Sequence, residues 1–162
     1  MAVPTKFSTT QIVLHWTIAL MVLFQYLMHD GIESAWEKRM DGTIENVAFP
    51  NPHAIVGILI LLLVIFRLIV RMKHGVPALP ASELPFVGLI AKGTHHLFYL
   101  LLIGMPLSGA AAWFLGIEVP ANMHGLASKI MIALIALHIG AALLHHFVLK
   151  TNVLKRMLGI NS

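Results

Sequence analysis

The chain contains four long stretches without a single Asp, Glu, Lys or Arg: residues 7–29, 46–66, 93–117 and 130–149. They run to 23, 21, 25 and 20 residues and take up 89 of the 162 positions. Each is close to the roughly 20 residues an α-helix needs to cross a hydrocarbon core. Backbone groups in lipid have to satisfy their own hydrogen bonds, which leaves helices or a closed barrel. The alternation of a barrel strand is absent, since ILILLLVIF (residues 58–66) is apolar on every face. The predicted fold is therefore all-α, an integral membrane four-helix bundle. Its helices are expected at about 8–29, 52–72, 93–115 and 124–149, in one domain spanning 1–162.

Composition agrees and removes alternatives. Only 11% of residues are charged and mean hydropathy is +0.85, whereas soluble domains carry about 25% charged residues. This excludes an ordinary soluble globule, a disordered chain and a nucleic-acid binder, despite a net charge of +4. The absence of cysteine excludes disulfides, thiolate zinc sites, iron–sulfur clusters, thiol catalysis and thioether-linked haem. The first apolar run, Ile12 to Met28, is longer than a signal-peptide core, and no small-residue cleavage site follows it.

Charge asymmetry sets the orientation. Lys6, Arg67, Arg71, Lys73, Lys92, Lys150, Lys155 and Arg156 fall on one side. The other side holds Lys38 and Arg39 among five acids, with Lys129 just inside the last helix. The positive-inside rule then places both termini in the cytoplasm, with the lipid bilayer as the first partner and anionic lipid attracting the basic side. Trp36 and Trp113 stand where interfacial aromatics are expected. Residues 76–85 read as a Pro-rich extended connector, and the tail from Asn152 as a short interfacial segment.

The surplus is histidine, ten in all. An ionisable side chain inside a membrane helix is costly and is a functional candidate by default. His124 and His138 are fourteen residues apart on the last helix. That spacing is about 21 Å of rise and returns to within roughly 40° of the same face. One helix thus offers an imidazole near each membrane surface. Without cysteine or a Glu-x-x-His motif, zinc and di-iron fit poorly. Two haems with paired axial imidazoles fit better. Partners at the cytoplasmic level are His15, His95 and His96; at the outer level they are His29 and His53. His15 and His29 are also fourteen apart, so a ladder between the first and last helices stands beside the pairing His53–His124. Gly57, one turn from His53, favours the latter by leaving room for a flat ring. Gly104 and Gly109 thin the third helix in the same way, and Pro106 introduces a kink.

In combination, STTQIVLHW, HAIVGILILLLVIFRLIVR, HHLFYLLLIGMPLSG and MHGLASKIMIALIALHIGAALLHHFVLKTNVLKRML span nearly the whole chain. With these motifs it resembles the bacterial cytochrome b561 family, small inner-membrane proteins with two non-covalent b-type haems. The resemblance implies that His15 and His138 ligate the cytoplasmic haem and that His53 and His124 ligate the outer one. It implies quinone-linked electron transfer, with superoxide oxidised at the periplasmic face and ubiquinone reduced. Related cytochrome b subunits anchor hydrogenases and formate dehydrogenases, so an electron relay to a redox partner protein is the alternative.

Other residues extend the candidate sites. Arg67 lies fourteen residues after His53 and is expected at the cytoplasmic haem level, either bonding a propionate or snorkelling to lipid phosphate. His95 is a candidate for a propionate contact or for replacing His15. His145 and His146 are candidates for donating to a quinone carbonyl, against the plainer reading of a solvated pair. Lys129 either snorkels, attracts an anionic donor or pairs with an outer propionate. Trp16 is turned about 100° from His15 and reads as packing.

Overall fold

The computed structural model describes residues 4, 6–43, 51–78 and 85–160. Glu45, the middle of the Pro-rich connector (79–84) and the last two residues lie outside the described residues. The structure is all-helical, with no strand among the described residues: α1 (Thr9–Leu27), α2 (His29–Met40), α3 (Pro52–His74), α4 (Pro85–Leu115), α5 (Glu118–Phe147) and α6 (Val153–Met157). Of these, α1, α3, α4 and α5 are long and apolar enough to cross a membrane.

Local sequence sets the ends of these helices. Ser8 and Gln11 form a reciprocal capping box: Ser8 Oγ accepts from the Gln11 N–H (3.2 Å) and Gln11 Oε1 from the Ser8 N–H (2.9 Å). Asn51 caps α3 through the Ala54 N–H (2.9 Å), with Pro52 in the first turn, where its missing N–H costs nothing. Gly75 ends α3 with φ 69°, a conformation that favours glycine. Its carbonyl accepts from Gln11 Nε2 at 2.8 Å, so the start of α1 is bonded to the end of α3.

The helices pack in the order α1–α3–α4–α5. The innermost cluster is Ile18, Ile60 and Val64, with Met21, Val22, Leu63, Tyr99 and Leu102 around it. Outward-facing residues are as apolar as the interior: Leu20 is 65% exposed and Leu137 71%. That is the surface of a bundle solvated by lipid. Helices α1 and α5 do not pack along their length. They meet through Tyr26 Oη, which donates to the Ser128 carbonyl (2.7 Å), and through histidine rings described below.

Several expectations change. The first span stops at Leu27, and His29 opens the separate helix α2 at the outer end. The third long helix begins at Pro85 and takes in Lys92; the fourth begins at Glu118. Trp113 is buried, only 6% exposed, with no partner for its indole N–H among the described residues, and so differs from an interfacial aromatic. The Arg71 guanidinium lies 5.9 Å from the centre of the Tyr99 ring. Trp16 packs edge-on against His15 (5.3 Å) and also donates Nε1–H to the Met157 carbonyl (2.9 Å), tying the tail helix to α1. Arg156 ties the same tail helix to the connector after α3 by donating to the Ala78 carbonyl (2.9 Å).

Candidate functional site

Two histidine pairs stand inside the bundle. At the end where α2 lies, His53 of α3 and His124 of α5 have ring centres 6.0 Å apart, at 64°. At the basic end, His15 of α1 and His138 of α5 are 6.3 Å apart, at 66°. Because α5 runs unbroken from Glu118 to Phe147, the two levels are separated by about 21 Å of helical rise.

These spacings have a chemical meaning. A metal–imidazole bond is about 2.0–2.1 Å, and the ring nitrogen lies about 1.1 Å from the ring centre, so imidazoles on opposite sides of one metal ion have centres about 6.3 Å apart. Both pairs match that span. Among the described residues no three His, Asp or Glu side chains converge to chelate a bare ion. Each pair would supply two imidazole ligands and would suit a metal whose remaining ligands come from a macrocycle. The residues present therefore fit haem.

The surroundings of each pair differ. His124 Nδ1 lies 2.8 Å from the Met105 carbonyl, which fixes the proton on Nδ1 and leaves Nε2 bare for a metal. Gly109 makes this approach possible: a Cβ there would stand 3.0 Å from His124 Nδ1 and 3.1 Å from its Cε1. Gly104 has no heavy atom within 4 Å of a Cβ, and Gly57 would meet Gln25 Nε2 at 3.4 Å. Gln25 donates to the His53 carbonyl (2.9 Å) and so holds the first turn of α3. His29 is half exposed, with Nδ1 3.7 Å from a Glu33 carboxylate oxygen. The fourteen-residue spacing from His15 has no helical meaning there, because the chain leaves α1 at Met28.

At the basic end His138 has further neighbours. The His95 ring is centred 5.8 Å from it and the Phe98 ring 5.3 Å. His95 Nδ1 donates to the Ala91 carbonyl at 2.6 Å. Arg67 turns into the bundle, donating through Nε to Tyr99 Oη (3.2 Å) and through Nη1 to the Gln11 carbonyl (3.4 Å). A cavity of about 300 Å³ opens between α3 and α4, lined by Arg71, His95, His96, Tyr99 and apolar Leu68 and Met72. The sequence did not single out Tyr99; its place among Arg67, Arg71 and the cavity comes from the packing of α3 on α4. His145 lies seven residues beyond His138, about 10 Å further along the axis, and contacts Thr151. Lys129 is exposed, and five residues of helix turn it about 140° away from His124.

The model for prokaryotic cytochrome b561 matches residues 6–159. The chain belongs to this family. It is 32% identical to cytochrome b562 of Cereibacter sphaeroides over 155 residues, covering 94% of both chains. It is 30% identical to cytochrome b561 homolog 1 of Escherichia coli K12, covering 94% of this chain and 97% of that one. It is 29% identical to a Yersinia pestis protein named probable superoxide oxidase CybB, covering 94% and 96%. Membership makes this cytochrome b561-family chain a multi-pass protein of the bacterial inner membrane, with b-type haem and a role in membrane electron transfer as an oxidoreductase or electron carrier.

Proposed function

We propose that this protein carries electrons across the inner membrane through two b-type haems, one held by His53 and His124 and one by His15 and His138. The observation that carries this reading is the pair of imidazole pairs at trans-ligand spacing, both built on α5. When bound, the haems supply one-electron redox chemistry. The chain holds them in place, excludes water and positions charge around them. With both imidazoles of each pair holding its haem, donors and acceptors would react at haem edges and oxygen would find no open metal site.

The outer donor is a small one-electron reductant, and superoxide is our candidate. Two superoxide ions give up one electron each and leave as dioxygen. Ubiquinone takes those two electrons, with two protons, to become the quinol. Lys129 is an exposed cation on α5, eleven residues into the helix, and snorkelling of its long side chain toward the outer surface is the route by which it would attract an anionic donor. At the cytoplasmic end the α3–α4 cavity supports the quinone ring. Its walls combine apolar side chains with Arg71, Tyr99 and His96, donors for ring carbonyls, and with His95, which also adjoins His138. This favours His95 over His145 as the quinone contact. Arg67 donates to Tyr99 Oη on the cavity wall and so brings positive charge to the side of the ring.

The test is the purified protein in detergent. Two haem b per chain by pyridine haemochrome, with low-spin bis-imidazole spectra, are expected. His53→Ala is expected to remove one of them and His29→Ala neither. Pulses of superoxide are expected to reduce the haems and then added ubiquinone. Colourless protein under adequate haem supply sinks the reading. Haem reduced by a co-purifying dehydrogenase but not by superoxide assigns the donor role to a partner protein instead.

A further inference from the structure

His138 has two neighbours at ligand spacing, and the second is not explained by a two-ligand site. The ring centres of His15 and His95 lie 6.3 Å and 5.8 Å from that of His138, on α1 and α4 respectively. Both values are close to the span of about 6.3 Å that trans imidazoles need. The two candidates differ in how they are held. His15 touches the rings of Trp16 and His138 and makes no hydrogen bond among the described residues. His95 donates its Nδ1–H to the Ala91 carbonyl at 2.6 Å, which leaves Nε2 unprotonated.

Metal-ligating histidines almost always have their second nitrogen anchored in this way. The same arrangement occurs at the outer level, where His124 Nδ1 is anchored on the Met105 carbonyl. Each level thus contains one histidine whose tautomer is set by a backbone carbonyl, and at the inner level that histidine is His95. Its helix is also the better neighbour. α4 packs along α5, whereas α1 does not. His95 and Phe98, three residues apart on α4, both face the His138 ring.

We infer that the inner site has a reserve ligand: His95 can occupy the axial position opposite His138 when His15 does not. The inference rests on the two-haem reading above and extends it to a residue outside its ligand set. Substitution of His15 then becomes a ligand exchange. The haem would then keep two imidazole ligands, while the cavity would lose His95 from its wall.

The experiment compares full-length wild type, His15→Ala, His95→Ala, His15→Ala/His95→Ala and His138→Ala, each purified with excess haem. Haem per chain and low-temperature EPR of the low-spin signals are measured. Wild type is expected to hold two haems. His15→Ala is expected to retain close to two, with one low-spin signal shifted and the other unchanged. The double variant and His138→Ala are expected to fall to one. The unchanged outer signal shows in every variant that the bundle is folded. Free imidazole is expected to restore a second low-spin signal to the double variant. A fall of His15→Ala to one haem, as in His138→Ala, overturns the reserve ligand while leaving the two-haem reading intact. Wild type without two bis-imidazole signals, or His138→Ala retaining both, overturns the two-haem reading and the reserve ligand with it.

Discussion

On the proposed two-haem arrangement, replacing Gly109 with alanine is expected to loosen the outer haem and leave the inner one alone. The added Cβ would stand 3.0 Å from His124 Nδ1 and 3.1 Å from Cε1, where ordinary contact begins at 3.4 Å. The ring has to give by a few tenths of an ångström. Its bond to the Met105 carbonyl, 2.8 Å long, then stretches to about 3.2 Å, the outer edge of useful geometry. Disturbing the anchor of a metal-ligating histidine typically costs about 10–100-fold in affinity, or roughly 1.4–2.7 kcal/mol. Alanine in place of glycine inside a helix returns about 1 kcal/mol to the polypeptide. Fold stability and haem retention should therefore separate. The assay is haem transfer to excess apomyoglobin, followed as two phases. One phase is expected to accelerate roughly 10–100-fold, with the thermal transition of the helices unchanged or raised. Gly31→Ala on the exposed helix α2 is the control, because it lies outside the long spans and nothing lies within 4 Å of its Cβ, and both phases should stay at their wild-type rates. Equal acceleration of both phases in Gly109→Ala, or none in either, would refute the reasoning.

Other perturbations test other parts of the molecule. Gln11→Leu removes the bond to the Gly75 carbonyl and half of the Ser8 capping box; at about 1 kcal/mol per bond it should cost roughly 2 kcal/mol, read as a lower melting temperature in detergent. Arg67→Met removes a cation that favours the reduced, less positive iron, so one midpoint potential should fall by tens of millivolts, on the order expected for a partly screened charge. An unchanged redox titration would show that the iron does not feel this charge. Trp16→Phe deletes the donor to the Met157 carbonyl and should speed amide exchange and proteolysis across residues 153–160 without changing haem content.

Much of the architecture was legible because lipid enforces it. The four spans follow from charge-free runs, and the two levels on α5 follow from a fourteen-residue spacing along an unbroken helix. What stayed hidden lay where that constraint lapses. Helix α2 carries charges throughout and sits outside the apolar runs, so hydropathy did not mark it. No glycine or proline announces the break at Met28, and His29 therefore looked continuous with the first helix. Helix α4 extends past Lys92 because a cation is tolerated where a helix leaves the membrane. Gly104 and Gly109 looked alike in sequence; only the packing of α5 on α4 shows that one cradles an imidazole. Likewise His95 and His96 are adjacent, and periodicity alone could not say which faces His138.

The bond between Trp16 and the Met157 carbonyl joins residues separated by 141 positions. The contacts of α1 with α3, α3 with α4 and α4 with α5 form between successive spans and suit a chain delivered to the bilayer from its N-terminus. The tail tie cannot form in that order. At about 5–20 residues per second of synthesis, Trp16 waits roughly 7–28 s before its acceptor exists. Synthesis of the tail is therefore the event that closes this end of the molecule, and a nascent chain halted short of Met157 would present an assembled set of spans with an unfastened first helix.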